Sequence, residues 1–156
     1  MNKVGVKMND VDISWYIKEQ TEEENEYTLY TEYYAGSCSS NKDLYIDIRV
    51  WNNRWGNEDV KDAKNAKLII SFAYAEDSVL LELCEIKIGN GIFKKIDNTE
   101  FNRGIVNLET IYGNKNNGDK KNTDNYKDIF IKFTNIPENL QDGLKTMFLD
   151  IQYDDN

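Results

Sequence analysis

The chain has 156 residues, with Lys and Arg totalling 19 against 28 Asp and Glu, a net charge of -9 and no histidine. That length fits one domain, residues 1–156, with room for two packed layers. The charge repels phosphate backbones and anionic lipid surfaces, so neither nucleic acid nor a membrane is an expected partner. Without imidazole the chain lacks the commonest general base near neutral pH and every hydrolase triad built on one. Acids are abundant, but none sits in a context that marks a paired glycosidase carboxylate, so the protein is expected not to be an enzyme.

Residues 11–17 alternate Val11, Ile13, Trp15 and Ile17 with polar neighbours, the pattern of a half-buried strand. The acidic stretch 19–26 is then a solvated loop or one exposed turn. Residues 27–34 form a tyrosine-rich run of high β-propensity that stops at Ala35-Gly36-Ser37. Leu44, Ile46, Ile48 and Val50 share one face of the next strand, with Asp43, Asp47 and Arg49 on the other. These two strands could pair as a hairpin, over a longer connection than hairpins prefer.

Residues 57–67 read as one short helix: Asn57 can cap it, Glu58 and Asp59 suit its positive end, and Val60, Ala63 and Ala66 fall at helical spacing. Strand alternation returns at 68–74 and is interrupted at 75–78. The run 79–88 changes phase, which a bulge near Leu83 and Cys84 would reconcile. Gly89-Asn90-Gly91 is a tight turn into a strand over 92–96. Further strands are expected at 105–112 and 129–133, separated by the apolar-free stretch 113–125, read as a mobile surface loop. The sole proline, Pro137, ends the penultimate strand, and 147–153 alternates as the last one. Eight or nine strands with one short helix and no βαβ rhythm point to an all-β fold: an antiparallel β-sandwich, jelly-roll or Greek-key like, with a closed barrel as the alternative that strand count does not exclude.

Cys38 and Cys84 make no disulfide scaffold and no Cys-x-x-Cys pair, so they are expected to be reduced thiols, and no metal or other cofactor is expected. The acid pairs Asp10 with Asp12, Glu76 with Asp77 and Asp154 with Asp155 lack the oxygen-ligand spacing of a calcium loop. The segment from Gly113 to Gly118 has a superficial likeness to a phosphate loop but lacks its Lys-Ser or Lys-Thr ending. The N-terminus has no continuous apolar core of a signal peptide, and no run reaches bilayer length, so synthesis in a bacterial cytoplasm is expected.

Two places carry residue types favoured in recognition. The loop holding Trp51, Asn53, Arg54 and Trp55 brings two indoles and a guanidinium around a turn, suited to an interface centre or to stacking on a sugar. Its bland alternative is internal, with one tryptophan closing the end of the core and Arg54 paired with an acid. The tyrosines Tyr27, Tyr30, Tyr33 and Tyr34 fall on both sides of one strand, which belongs at a sandwich edge or against a partner.

The Asn-, Lys-, Ile-, Asp- and Tyr-rich usage resembles small structural proteins of tailed bacteriophages and phage-tail-like particles of low-GC Gram-positive hosts. So do the 51–56 motif, Glu76-Asp77 before Leu80, the 113–118 loop and Leu144-Lys145 before the last strand. The resemblance implies a virion component of the neck, tail, baseplate or capsid surface, contacting other particle subunits and copies of itself. Two rivals stand beside it. One is a carbohydrate-binding sandwich that stacks glycan on Trp51, Trp55 and tyrosines; the other is an acidic phage-encoded inhibitor of a host protein.

Overall fold

Alternation over 44–50 sends Ile46, Ile48 and Val50 into a dry interior, where each is no more than 7% exposed, and the rest of the molecule is arranged around that face. The computed structural model describes residues 8–18, 27–29, 32–36, 43–140, 143 and 145–154. Its strands are β1 (Ile13–Lys18), β2 (Tyr27–Leu29), β3 (Leu44–Asn52), β4 (Ala63–Phe72), β5 (Cys84–Ile88), β6 (Lys94–Lys95), β7 (Asn98–Glu100), β8 (Arg103–Ile111), β9 (Tyr126–Phe133) and β10 (Met147–Asp154). One sheet has the order β2-β1-β3-β9-β5-β6 and the other β10-β4-β8-β7, with every pairing between named strands antiparallel. The chain crosses between layers at β3 to β4, β4 to β5, β6 to β7, β8 to β9 and β9 to β10. This is an all-β sandwich, as the alternation predicts.

Register explains the core. Opposite residues in an antiparallel pair share a face, so Ile46↔Ile131, Ile48↔Ile129 and Cys84↔Phe133 line one inner wall. Leu68 and Ile70 of β4, with Leu108 and Ile111 of β8, supply the other, all at 1% exposure or less.

The short helix lies elsewhere than the spacing suggests. Residues 57–62 are not helical, and Ala63 and Ala66 belong to β4. Register shifts between Ala63 and Ala66 and again at Lys67, with Asn65 at φ 49°, place two alanines three residues apart on one buried face, which mimics helical spacing. The helical segment is a 3-10 helix at Ala75–Leu83, where Ser78 Oγ donates to the carbonyl of Ala75 at 2.6 Å. It buries Leu80 and Leu81. The phase change before Cys84 is therefore the junction of this helix with β5, and not a bulge.

Strand pairing corrects a second expectation. β2 pairs with β1, Tyr16 opposite Leu29, and β1 lies between β2 and β3, so among the described residues of 27–34 none pairs with 44–51 as a hairpin. The turn at Gly89 to Gly91 does join β5 to β6: the Gly91 amide donates to the Ile88 carbonyl at 3.0 Å, and Gly89 has φ 55°.

Candidate functional site

At one end of the sandwich β3 runs out of apolar residues and continues Trp51-Asn52-Asn53-Arg54-Trp55-Gly56, with the first four of these at 4% exposure or less. Period-two geometry puts Asn52 on the inward side after Val50 and Trp51 on the outward side with Arg49. Asn52 thus closes the end of the core, rather than a tryptophan. Its Oδ1 accepts from the Asp12 amide at 2.9 Å, and its Nδ2 donates to the carbonyls of Lys61 at 3.0 Å and Ile111 at 3.2 Å. An asparagine suits this place because it offers an acceptor and two donors to main-chain groups from three segments that would otherwise be buried unpaired.

Three more asparagines extend the brace. Asn53, in the left-handed region at φ 59°, holds its Nδ2 2.7 Å from the Glu58 carbonyl and 3.1 Å from those of Gly113 and Asn114. Asn125 Nδ2 donates to the carbonyls of Asn52 at 3.2 Å and Asn114 at 2.7 Å. Asn116 Nδ2 donates to that of Arg54 at 2.6 Å, while the amides of Asn116 and Asn117 bind the Gly56 carbonyl. The 113–125 segment, expected to be mobile, is instead bolted across the 51–56 loop, with Gly113, Asn116 and Asn125 buried. It lacks apolar residues because its own hydrogen bonds, and not apolar burial, hold it down. Gly56 is required for this fit, since a Cβ there would lie 1.6 Å from Asn53 Oδ1.

On the outer side the same loop starts a column of stacked cations and rings. Trp55 lies over the Arg54 guanidinium at 4.3 Å, and Arg54 over Trp51 at 4.8 Å. Trp51 and Tyr126 meet at 4.7 Å between centroids, and Arg49 sits 3.9 Å from the Tyr126 ring. Arg49 ends the column in a two-pronged bond to Asp128, Nε to Oδ1 at 2.7 Å and Nη2 to Oδ2 at 3.0 Å. Arg54 is 4% exposed and has no carboxylate partner among the described residues. The indoles take the acid's place, attracting the guanidinium through their π faces. Among the described residues its Nη1 has no hydrogen-bond partner, nor do Oδ1 of Asn116 and of Asn125.

Trp55 is the exposed end of this column, at 66%, yet it is fixed on three sides. Arg54 lies beneath it, its Nε1 donates to Tyr16 Oη at 2.9 Å, and Gly118 abuts its ring so closely that a Cβ would come within 2.9 Å. Gly118 also has φ 78°, which favours glycine on its own account.

The two sequence candidates thus separate. Trp51, Asn53, Arg54 and Trp55 come together as one unit, with only Trp55 offered to solvent. Of the tyrosines, Tyr27 lies in the edge strand β2 with its side chain outside the described residues, as is the whole of Tyr30; Tyr33 is half-buried and Tyr34 69% exposed, neither in a strand. Cys38 also lies outside the described residues. Sequence reasoning missed Tyr16, Asn52, Asn116, Gly118, Asn125 and Tyr126. The doubled Asn52-Asn53 directly after an apolar strand was the available signal.

Among the described residues no three Cys, Asp or Glu side chains gather as metal ligands, and no helix is long and apolar enough to cross a membrane. Burial pushes the Cys84 thiol up to about 12, with the Glu85 carboxylate adding to it, so this thiol is not poised for chemistry. Comparison of the chain with protein families, curated proteins and solved structures finds no match.

Proposed function

We propose that this protein is a non-enzymatic assembly subunit, working through protein–protein contacts centred on Trp55, in a phage virion or phage-tail-like particle. One observation carries the contact reading: a large indole, 66% exposed, is held in one orientation by Tyr16, Arg54 and Gly118. An exposed aromatic that is already ordered loses little side-chain freedom on binding, which is the property of an interface anchor. Copies of the chain itself and other particle subunits are the partners this reading takes. Its particle context rests on the resemblance in residue usage and motifs described above.

Replacing Trp55 with a photo-reactive phenylalanine derivative and irradiating the concentrated full-length protein tests the reading. The expected result is a covalent dimer linked from position 55 to a defined residue of a second copy. If the irradiated protein stays monomeric, while the wild type is retained on bacterial wall glycans through Trp55, the loop is a carbohydrate platform and the assembly reading falls.

A further inference from the structure

A recessed surface that Trp55 does not line lies between the β5–β6 hairpin and β8. It is a cleft of about 480 Å³ with Ile86, Ile88 and Ile96 in its lining and with Lys67, Lys94 and Lys95 around it; Asp97 is its single acid. Three cations against one acid reverse the balance of a chain whose net charge is -9. None of the three lysines makes an ion pair among the described residues.

The cleft also runs beside two strand edges. β7 pairs with β8 only from Arg103 to Ile105, so β8 has no neighbour on that side beyond Ile105 among the described residues, and β6 is the last strand of its sheet. Unpaired edges offer main-chain donors and acceptors to an incoming extended chain.

We infer that this cleft receives an extended segment of a partner subunit in which aliphatic and acidic side chains alternate. Strand geometry sends alternate side chains to opposite sides. The aliphatic ones then meet Ile86, Ile88 and Ile96, while the backbone pairs with the open edge and the carboxylates are within reach of the long lysine stems at the rim, Lys94 sharing its strand face with Ile86 and Lys95 standing opposite Glu85 on the other. A fatty acid would use the aliphatic floor and one lysine but leave the edges unpaired. The inference rests on the assembly reading and adds to it the chemistry of a second contact.

Fluorescence anisotropy of a short fluorescein-labelled peptide of alternating glutamate and valine, titrated with the full-length protein, tests it. Binding is expected, weakening from about 50 mM to about 500 mM NaCl as screening shortens the reach of the lysines. The Lys94→Glu/Lys95→Glu variant, altered at two exposed positions, should lose about ten-fold or more in affinity. Absent binding, equal binding of an alternating lysine and valine peptide, or unchanged affinity in the double variant would overturn the inference. Each of these leaves cross-linking from position 55 intact, so the cleft can fail without the assembly reading failing.

Discussion

The indole Nε1 of Trp55 donates to the phenol oxygen of Tyr16 at 2.9 Å, joining a loop at the end of β3 to the middle of β1 across 39 positions of sequence. Tyr16 is itself 6% exposed, so its hydroxyl is a fixed acceptor for a ring that otherwise faces water. Tyr16→Phe keeps the packing and deletes that acceptor. It should cost about 1 kcal/mol and leave Trp55 free to turn, seen as a lower melting temperature and a broadened indole Nε1–H resonance.

Asn52→Ala removes one acceptor and two donors from a site that is fully buried. Main-chain groups of Asp12, Lys61 and Ile111 lose their partners together, at a cost of about 3 kcal/mol. Urea unfolding should show the midpoint fall accordingly. A change below about 0.5 kcal/mol would mean that the brace is ornamental.

How much of this was legible beforehand follows period and chemistry. The sandwich, its inner faces on β3, β5 and β9 and the Gly89 to Gly91 turn could all be read, because alternation and glycine turns are local. The helix over 57–67 was misplaced because two register shifts in β4 reproduce a spacing of three. The 51–56 loop was recognised as a unit, but Asn116 and Asn125 were not. Asparagine carries no periodic signal, and only tertiary pairing tells a bracing amide from a solvated one. Equally, nothing local distinguishes the buried Trp51 from the exposed Trp55.

Asp47, on the outer face of β3, has its carboxyl raised above the ordinary value of 3.8, first by burial, with Asp128 adding to the rise and Lys18 and Lys87 opposing it. A raised acid favours the protonated native state. Its contribution is fully present below the unfolded value and is lost as pH rises through the folded one. Asp47→Asn should therefore be more stable than the wild type at pH 7, with the difference closing toward pH 3. A pH series of thermal midpoints for both proteins checks the sign.

Cys84 is fully buried and its thiol is pushed up to about 12. Only the thiolate is nucleophilic, so in a Cys38→Ser background the native protein should resist iodoacetamide at pH 8 and react on unfolding in urea. Rapid alkylation of the folded protein would show that the core at β5 opens.

Sedimentation velocity of the wild type and of Trp55→Ala, each over a range of protein concentration, tests the central claim most directly. The account predicts concentration-dependent assembly by the wild type, and for the variant a folded monomer whose melting temperature falls at least as far as that of Tyr16→Phe, because the Trp55–Tyr16 bond is lost while the asparagine brace stands without it. Identical sedimentation of the two proteins, or an unfolded variant, would contradict it.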